Sequence, residues 1–170
     1  CRRAGSLAAE ASGGGDGSAV VAGGQESMSN APFYADGLRN GVKFGDQTLV
    51  DGLIKDGLWC SFCDVHMGGH AEYTAKKAGI TRQQQDQFAL ESHRKAIAAM
   101  AAGRLNDEIT PVEIPGKKGP AVIAADESPR RDTSEEALAK LRPAFPKDAP
   151  KDLSPRELTV TAGNAHGRNG

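Results

Sequence analysis

Cysteine and histidine cluster once in this chain. Cys60, Cys63, His66 and His70 follow the pattern C-x2-C-x2-H-x3-H. Thiolates and imidazoles are good zinc ligands, and a C-x-x-C beside a histidine can also run thiol–disulfide chemistry. Zinc sites usually draw their two ligand pairs from separate segments. Two residues between Cys63 and His66 leave little room to wrap a tetrahedron. The plainer expectation is a pair of small buried thiols in a loop, with no metal.

Other chemistry-bearing candidates are weaker. Gly13-Gly14-Gly15-Asp16-Gly17 and Gly23-Gly24 are not followed by Gly-Lys-Ser/Thr, and neither gives G-x-G-x-x-G between a strand and a helix. They read as turns. Lys117-Lys118 and Arg130-Arg131 are basic pairs among acidic neighbours. They suit the phosphates of a nucleotide-bearing ligand, but a solvated surface is the default reading. No Ser-His-Asp arrangement or carboxylate pair stands out.

The elements that must position these residues are modest. The chain has 170 residues, with 38% hydrophobic and 25% charged residues and a net charge of −1. That mix describes a globular domain and gives no electrostatic reason to expect nucleic acid or an anionic membrane. Aromatics are 5%, so the core must rest on Ala, Val, Leu and Ile. No apolar run approaches the roughly 20 residues that span a bilayer. Three cysteines do not make a disulfide framework, so a reducing, cytoplasmic setting is expected. An N-terminal cysteine raises the alternative of an acylated lipoprotein on a Gly-rich tether. Ala19-Val20-Val21-Ala22 follows too soon for that and reads as buried structure.

Periodicity and punctuation give a coarse α/β reading. A helix end is expected over 4–11, a short strand over 18–22, and irregular structure over 25–46. Thr48–Ile54 is a short helix candidate. A helix over 70–77 is stopped by Gly79. Thr81 and Gln84 then have capping-box spacing and open the clearest helix, with Ala89, Ser92, Ala96, Ala99 and Met100 as its apolar stripe, ended by Gly103. An edge strand over 109–114 pairs back with 121–123. Thr133 and Glu136 cap a helix to about Leu141, and 158–161 is a last strand.

Longer strings point to a family. Val20 to Pro32 resembles V-A-G-G-x-E-S-M-S-x-A-P of the thiolases. Ile54-Lys55-Asp56-Gly57-Leu58 with His66-Met67-Gly68 resembles K-D-G-L…H-M-G. Gly79-Ile80-Thr81-Arg82 with Gln85-Asp86, then Lys140 to Phe145, then Thr159 to Ala165, resemble G-I-[ST]-R-x-x-[QE]-D, K-L-R-P-A-F and T-V-T-A-G-N-A. The five occur in family order across nearly the whole chain. The resemblance implies part of the N-terminal half of an α/β thiolase fold with a helical, loop-rich insertion. Residues 1–27 would be a core piece, 28–157 the loop domain, and 158–170 the return strand.

The resemblance also implies an activity: acyl transfer between a nucleophilic cysteine and coenzyme A, with a second cysteine as acid/base and preorganised oxyanion donors. It implies no tightly bound cofactor, an acyl-CoA substrate, a homo-oligomer, and a place in fatty-acid or related acyl-CoA metabolism. The family nucleophile precedes V-A-G-G in a C-x-S-G-x-x-A segment. Aligned on Gly15-Asp16, it falls about three positions before Cys1; Cys1 itself is the nucleophile only if the intervening residues are shortened. The G-H-P-x-G and C-x-G-G motifs do not occur here, which makes an interior fragment without activity of its own the expectation. Coenzyme A contacts carry over to Leu58, His66, Met67, Arg130, Phe145, Ala162 and His166. His166 replaces the family serine, and 146–157 is longer than the family's turn, so the local contact there departs from the pattern. A non-enzymatic CoA-binding or oligomerising remnant, and a C-x-x-C redox or zinc module, stay open as alternatives.

Overall fold

A computed structural model describes all residues except Cys1, Asp16, Ser18, Glu26, Lys118 and 166–170; of Arg2 and Arg3 it describes the backbone. The chain divides into two compact units, Cys1–Gly57 and Leu58–Gly170.

In the first unit, α1 (Arg2–Gly13) forms on an alanine-rich stretch of high helix propensity and stops where Gly15 turns left-handed, at φ 84°. The strand expected over 18–22 does not form among its described residues, and Val21 is fully exposed. A strand needs a neighbour for its N–H and C=O groups, and none of the described strands lies beside this stretch. Further on, β1 (Phe33–Tyr34) pairs antiparallel with β2 (Val50–Asp51). A π-helical turn, Leu53–Leu58, follows, so Thr48–Ile54 is strand and turn rather than the expected helix. Gly52 is required there. Its N–H donates to the Pro32 carbonyl at 2.9 Å, and an added Cβ would fall on that oxygen and on the Tyr34 ring. Tyr34 Oη donates to Asp56 at 2.6 Å, and Lys55 pairs with Asp36 at 2.7 Å.

The second unit opens with a tight antiparallel pair, β3 (Trp59–Cys60) and β4 (Val65–His66). Asp64 closes the turn between them, its N–H donating to the Cys60 carbonyl at 2.8 Å. Next come α2 (Met67–Ala78) and α3 (Arg82–Ala101). Gly79 ends α2 at φ 65°, and Thr81 with Gln84 forms a complete capping box on α3, both as expected. The buried stripe of α3 differs from expectation. Asp86 and Leu90 are its buried residues, while Ser92 of the expected stripe is exposed. A charged residue in the stripe hides it from a count of apolar periodicity. The pair β5 (Val112–Ile114) and β6 (Ala121–Ile123) matches the expected hairpin but is exposed throughout. Helix α4 (Glu135–Ala139) is capped by Ser134, one residue after the expected Thr133. Residues 158–161 run as an extended segment with one bridge, Pro143 to Thr161, rather than a full strand. The core is small: Ala75, Leu90, Leu138, Leu158 and Val160. Among the described residues, no helix is long and apolar enough to cross a membrane.

Candidate functional site

The second unit is organised around buried polar groups. Glu72 on α2 is 1% exposed. Its carboxylate accepts from Thr159 N–H at 2.9 and 3.0 Å, from Thr159 Oγ1 at 3.0 Å and from Val160 N–H at 2.8 Å. A buried carboxylate is tolerated only when its lone pairs are filled in this way. The contact fixes 158–161 against α2.

A second set fixes the same segment to α3 and α4. Asn164 Oδ1 accepts from Thr161 N–H at 2.7 Å, and its Nδ2 donates to Asp86 at 2.8 Å and to the Thr159 carbonyl at 3.0 Å. Arg82 Nε donates to Asp86 at 2.7 Å, and Arg82 also donates to the carbonyls of Leu138 and Leu141. Gln85 donates to Thr159 Oγ1 at 2.9 Å. Arg82, Gln85, Asp86, Thr159, Thr161 and Asn164 all belong to the strings G-I-T-R-x-x-Q-D and T-V-T-A-G-N-A. Those motifs are therefore one interlocked framework.

The framework positions three of the residues carried over from the family resemblance. Ala144 N–H donates to the Val160 carbonyl at 2.9 Å, which lays 143–145 beside 160–161. Phe145 then stacks on His66, with ring centroids 4.7 Å apart and an interplanar angle of 20°. His66 caps α2, its Nδ1 accepting from Gly68 N–H at 3.0 Å. Gly68 admits the ring: a Cβ there would fall on Phe145. Met67, next to His66, is half exposed, and Ala162 beside Thr161 is exposed. His66, Phe145 and the Ala162 segment are thus brought together on one framework. Leu58 is half-buried and precedes β3.

Arg130 lies elsewhere in the unit. Its N–H donates to His93 Nδ1 on α3 at 3.2 Å, and its guanidinium pairs with Asp132 at 3.5 Å. His93 and the preceding Pro129 line a groove of about 470 Å³ together with Phe88, Ser92, Asn164 and Ala165. No hydrogen bond or ring contact joins Arg130 to His66, Met67 or Phe145 among the described residues. Cys1 and His166 lie outside the described residues.

The cysteine–histidine pattern resolves into a smaller set. Cys60, Cys63 and His70 have ligand atoms within 4.8 Å of one another; His66 is not among them. The Cys60 thiol is lowered to about 7 by the Cys63 backbone N–H first, then by the His70 ring and the Phe62 N–H. Cys63 is raised, because it shares a hydrogen bond with Cys60 and faces its charge.

Sequence reasoning missed the role of Glu72. A signal was available: Glu72 falls on the stripe of Gly68, Gly69 and Ala75 at helical spacing, all four buried.

The model of the thiolase N-terminal domain matches residues 3–169. An acetyl-CoA acetyltransferase of Pseudomonas aeruginosa is 51% identical over 91% of this chain and 37% of its own length. One from Yarrowia lipolytica is 45% identical over 94% of this chain and 37% of its own. Among solved structures, the Bacillus anthracis acetyl-CoA acetyltransferase superposes with a TM-score of 0.75 at 36% identity, covering 86% of this chain and 34% of that one. The chain spans 37–41% of the length of the first curated relatives it matches. Matched by that domain model from residue 3 to residue 169, this chain belongs to the thiolase family.

Proposed function

We propose that the chain is part of an acyl-CoA acyltransferase of the acetyl-CoA acetyltransferase type, supplying substrate contacts to a catalytic centre whose reacting groups lie mostly on other segments. The observation that carries this reading is the His66–Phe145 stack, held beside 160–162 by Glu72, Asp86 and Asn164. Relatives about half identical to this chain bear the acetyl-CoA acetyltransferase name, which supports the same class.

The reaction is acyl transfer. A cysteine thiolate attacks the thioester carbonyl of acyl-CoA, the C–S bond to coenzyme A breaks, and the leaving thiolate takes a proton as CoA-SH. The acyl-enzyme then passes its acyl group to the second substrate. The family's histidine and second-cysteine motifs are not among these 170 residues, and its nucleophile aligns ahead of residue 1. Residues 28–157 act as the loop domain, with the return to the core at 158. Leu58, Met67 and Phe145 line the pantetheine path beside the His66 ring and Ala162. Arg130 meets the nucleotide end, as a guanidinium suits phosphate. In the sequence, His166 takes the place of the family serine whose hydroxyl would meet pantetheine. The complete enzyme works as a homo-oligomer in the cytoplasm on an acyl-CoA substrate, without a tightly bound cofactor.

Two assays test this. The 170-residue chain alone should show no thiolysis of acetoacetyl-CoA, and measurable turnover would contradict the placing of the reacting groups. Titration calorimetry with coenzyme A should detect binding that Arg130→Ala weakens by roughly tenfold, about the worth of one charge-assisted phosphate contact. Binding unchanged by that substitution would remove Arg130 from the site.

A further inference from the structure

We propose that Cys60, Cys63 and His70 form a site for a thiophilic divalent ion of the zinc class, which ties the β3–β4 pair to the first turn of α2. The proposal does not depend on the acyl-CoA reading. It rests on two features of the geometry.

First, the three side chains converge from two elements. Cys60 ends β3, Cys63 lies in the turn before β4, and His70 projects from α2, yet their ligand atoms all lie within 4.8 Å. Zinc–sulfur and zinc–nitrogen bonds of about 2.3 and 2.0 Å set tetrahedral ligands roughly 3.5–3.8 Å apart. The closure needed is about one ångström, within the reach of a rotation at Cys63, which is exposed. Second, His70 Nε2 is buried with no partner in hydrogen-bond geometry, the one such side-chain atom found among the described residues, and the groups its ring faces are the two thiols. Burying an imidazole nitrogen unpaired is costly, and a metal ion is a partner that would satisfy it.

The neighbours support this choice of ligands. His66 is engaged by Gly68 N–H and the Phe145 ring, and the Asp64 carboxylate accepts from the Trp59 indole at 3.0 Å. Neither belongs to the set of ligand atoms that converge with Cys60. The fourth position is left to solvent on the exposed Cys63 side. A disulfide between Cys60 and Cys63 would use the thiols but leave His70 Nε2 unpaired, which favours the ion. On binding, each thiol gives up its proton to the solvent and the imidazole coordinates in its neutral form.

The test is a cobalt(II) titration of the fully reduced chain. Expected is a one-to-one complex with a thiolate-to-cobalt charge-transfer band in the near ultraviolet and ligand-field bands in the red. Cys60→Ser and Cys63→Ser should each remove most of the charge-transfer band. His70→Gln should keep that band but weaken affinity by roughly tenfold or more, while His93→Gln should bind as the parent does. Zinc should displace cobalt and bleach both bands. A measurement needing no variant is alkylation of the parent chain with iodoacetamide, mapped by mass spectrometry: zinc should protect Cys60 and Cys63 together. Absence of the charge-transfer band in the reduced chain, or equal alkylation with and without zinc, would overturn the site.

Discussion

Two of the five stretches that carry family motifs stand in opposite physical states. Residues 159–165, T-V-T-A-G-N-A, lie against Glu72, Asp86 and Gln85, with Thr161 fully buried. Residues 20–24, V-A-G-G with its leading valine, are exposed and form no strand. Both motifs are equally readable as letters. The difference is that the partners of the first are on this chain, at 72–86. The second offers Val20 and Val21 to a neighbour that the described residues do not supply. A motif thus predicts family from its letters alone, but local structure only where its hydrogen-bonding and packing partners are present.

That contrast can be broken by mutation. The largest effect is expected at Glu72. Glu72→Ala removes the acceptor for two backbone N–H groups and one hydroxyl. It should cost about 3 kcal/mol or more in denaturant unfolding of the chain. A loss under about 1 kcal/mol would mean that 158–161 is held by something else. Gly68→Ala comes next, because the new methyl group falls on Phe145. Overpacking of this kind should cost about 2 kcal/mol. Adding Phe145→Ala should recover part of it, and strict additivity of the two would show that the ring is not what Gly68 accommodates. Val21→Thr is the contrasting case: fully exposed, it should change stability by no more than about 0.5 kcal/mol. A large loss there would mean that V-A-G-G is packed in solution.

A last, local effect concerns the thiols. A lowered pKa means that Cys60 is substantially thiolate near neutral pH, so with metals chelated it should alkylate faster than Cys63. The rate should fall as pH drops below about 7, where the thiolate takes up its proton. A half-maximal rate near the ordinary thiol value would show that the Cys63 N–H and the His70 ring do not act on Cys60.

The sequence was informative where a signal is local. Gly79 and the Thr81–Gln84 capping box end and begin helices through their own backbone and side-chain chemistry, and both are as read. The α4 cap moved by one residue because Thr133 and Ser134 are chemically equivalent as caps. Legibility failed where partners are distant. Asp86 lies in the buried stripe of α3 because Asn164, 78 residues away, donates to it. Glu72 is buried because 159–160 bring their N–H groups to it. The four-residue cysteine–histidine pattern likewise misled in composition. Spacing offered His66 and His70 equally, and the fold brings only His70 to both thiols, while His66 stacks on Phe145.

The central claim is that the Glu72–Asp86–Asn164 framework holds His66, Met67, Phe145 and Ala162 as a coenzyme A contact surface. Its most direct test is a coenzyme A titration followed by amide chemical shifts. The expected result is saturable shifts at 66–68, 145 and 161–163, with the exposed β5–β6 pair unmoved, and their loss in Glu72→Ala under conditions where α3 stays folded. Shifts confined to other segments, or none at ligand concentrations that saturate the complete enzyme, would contradict it.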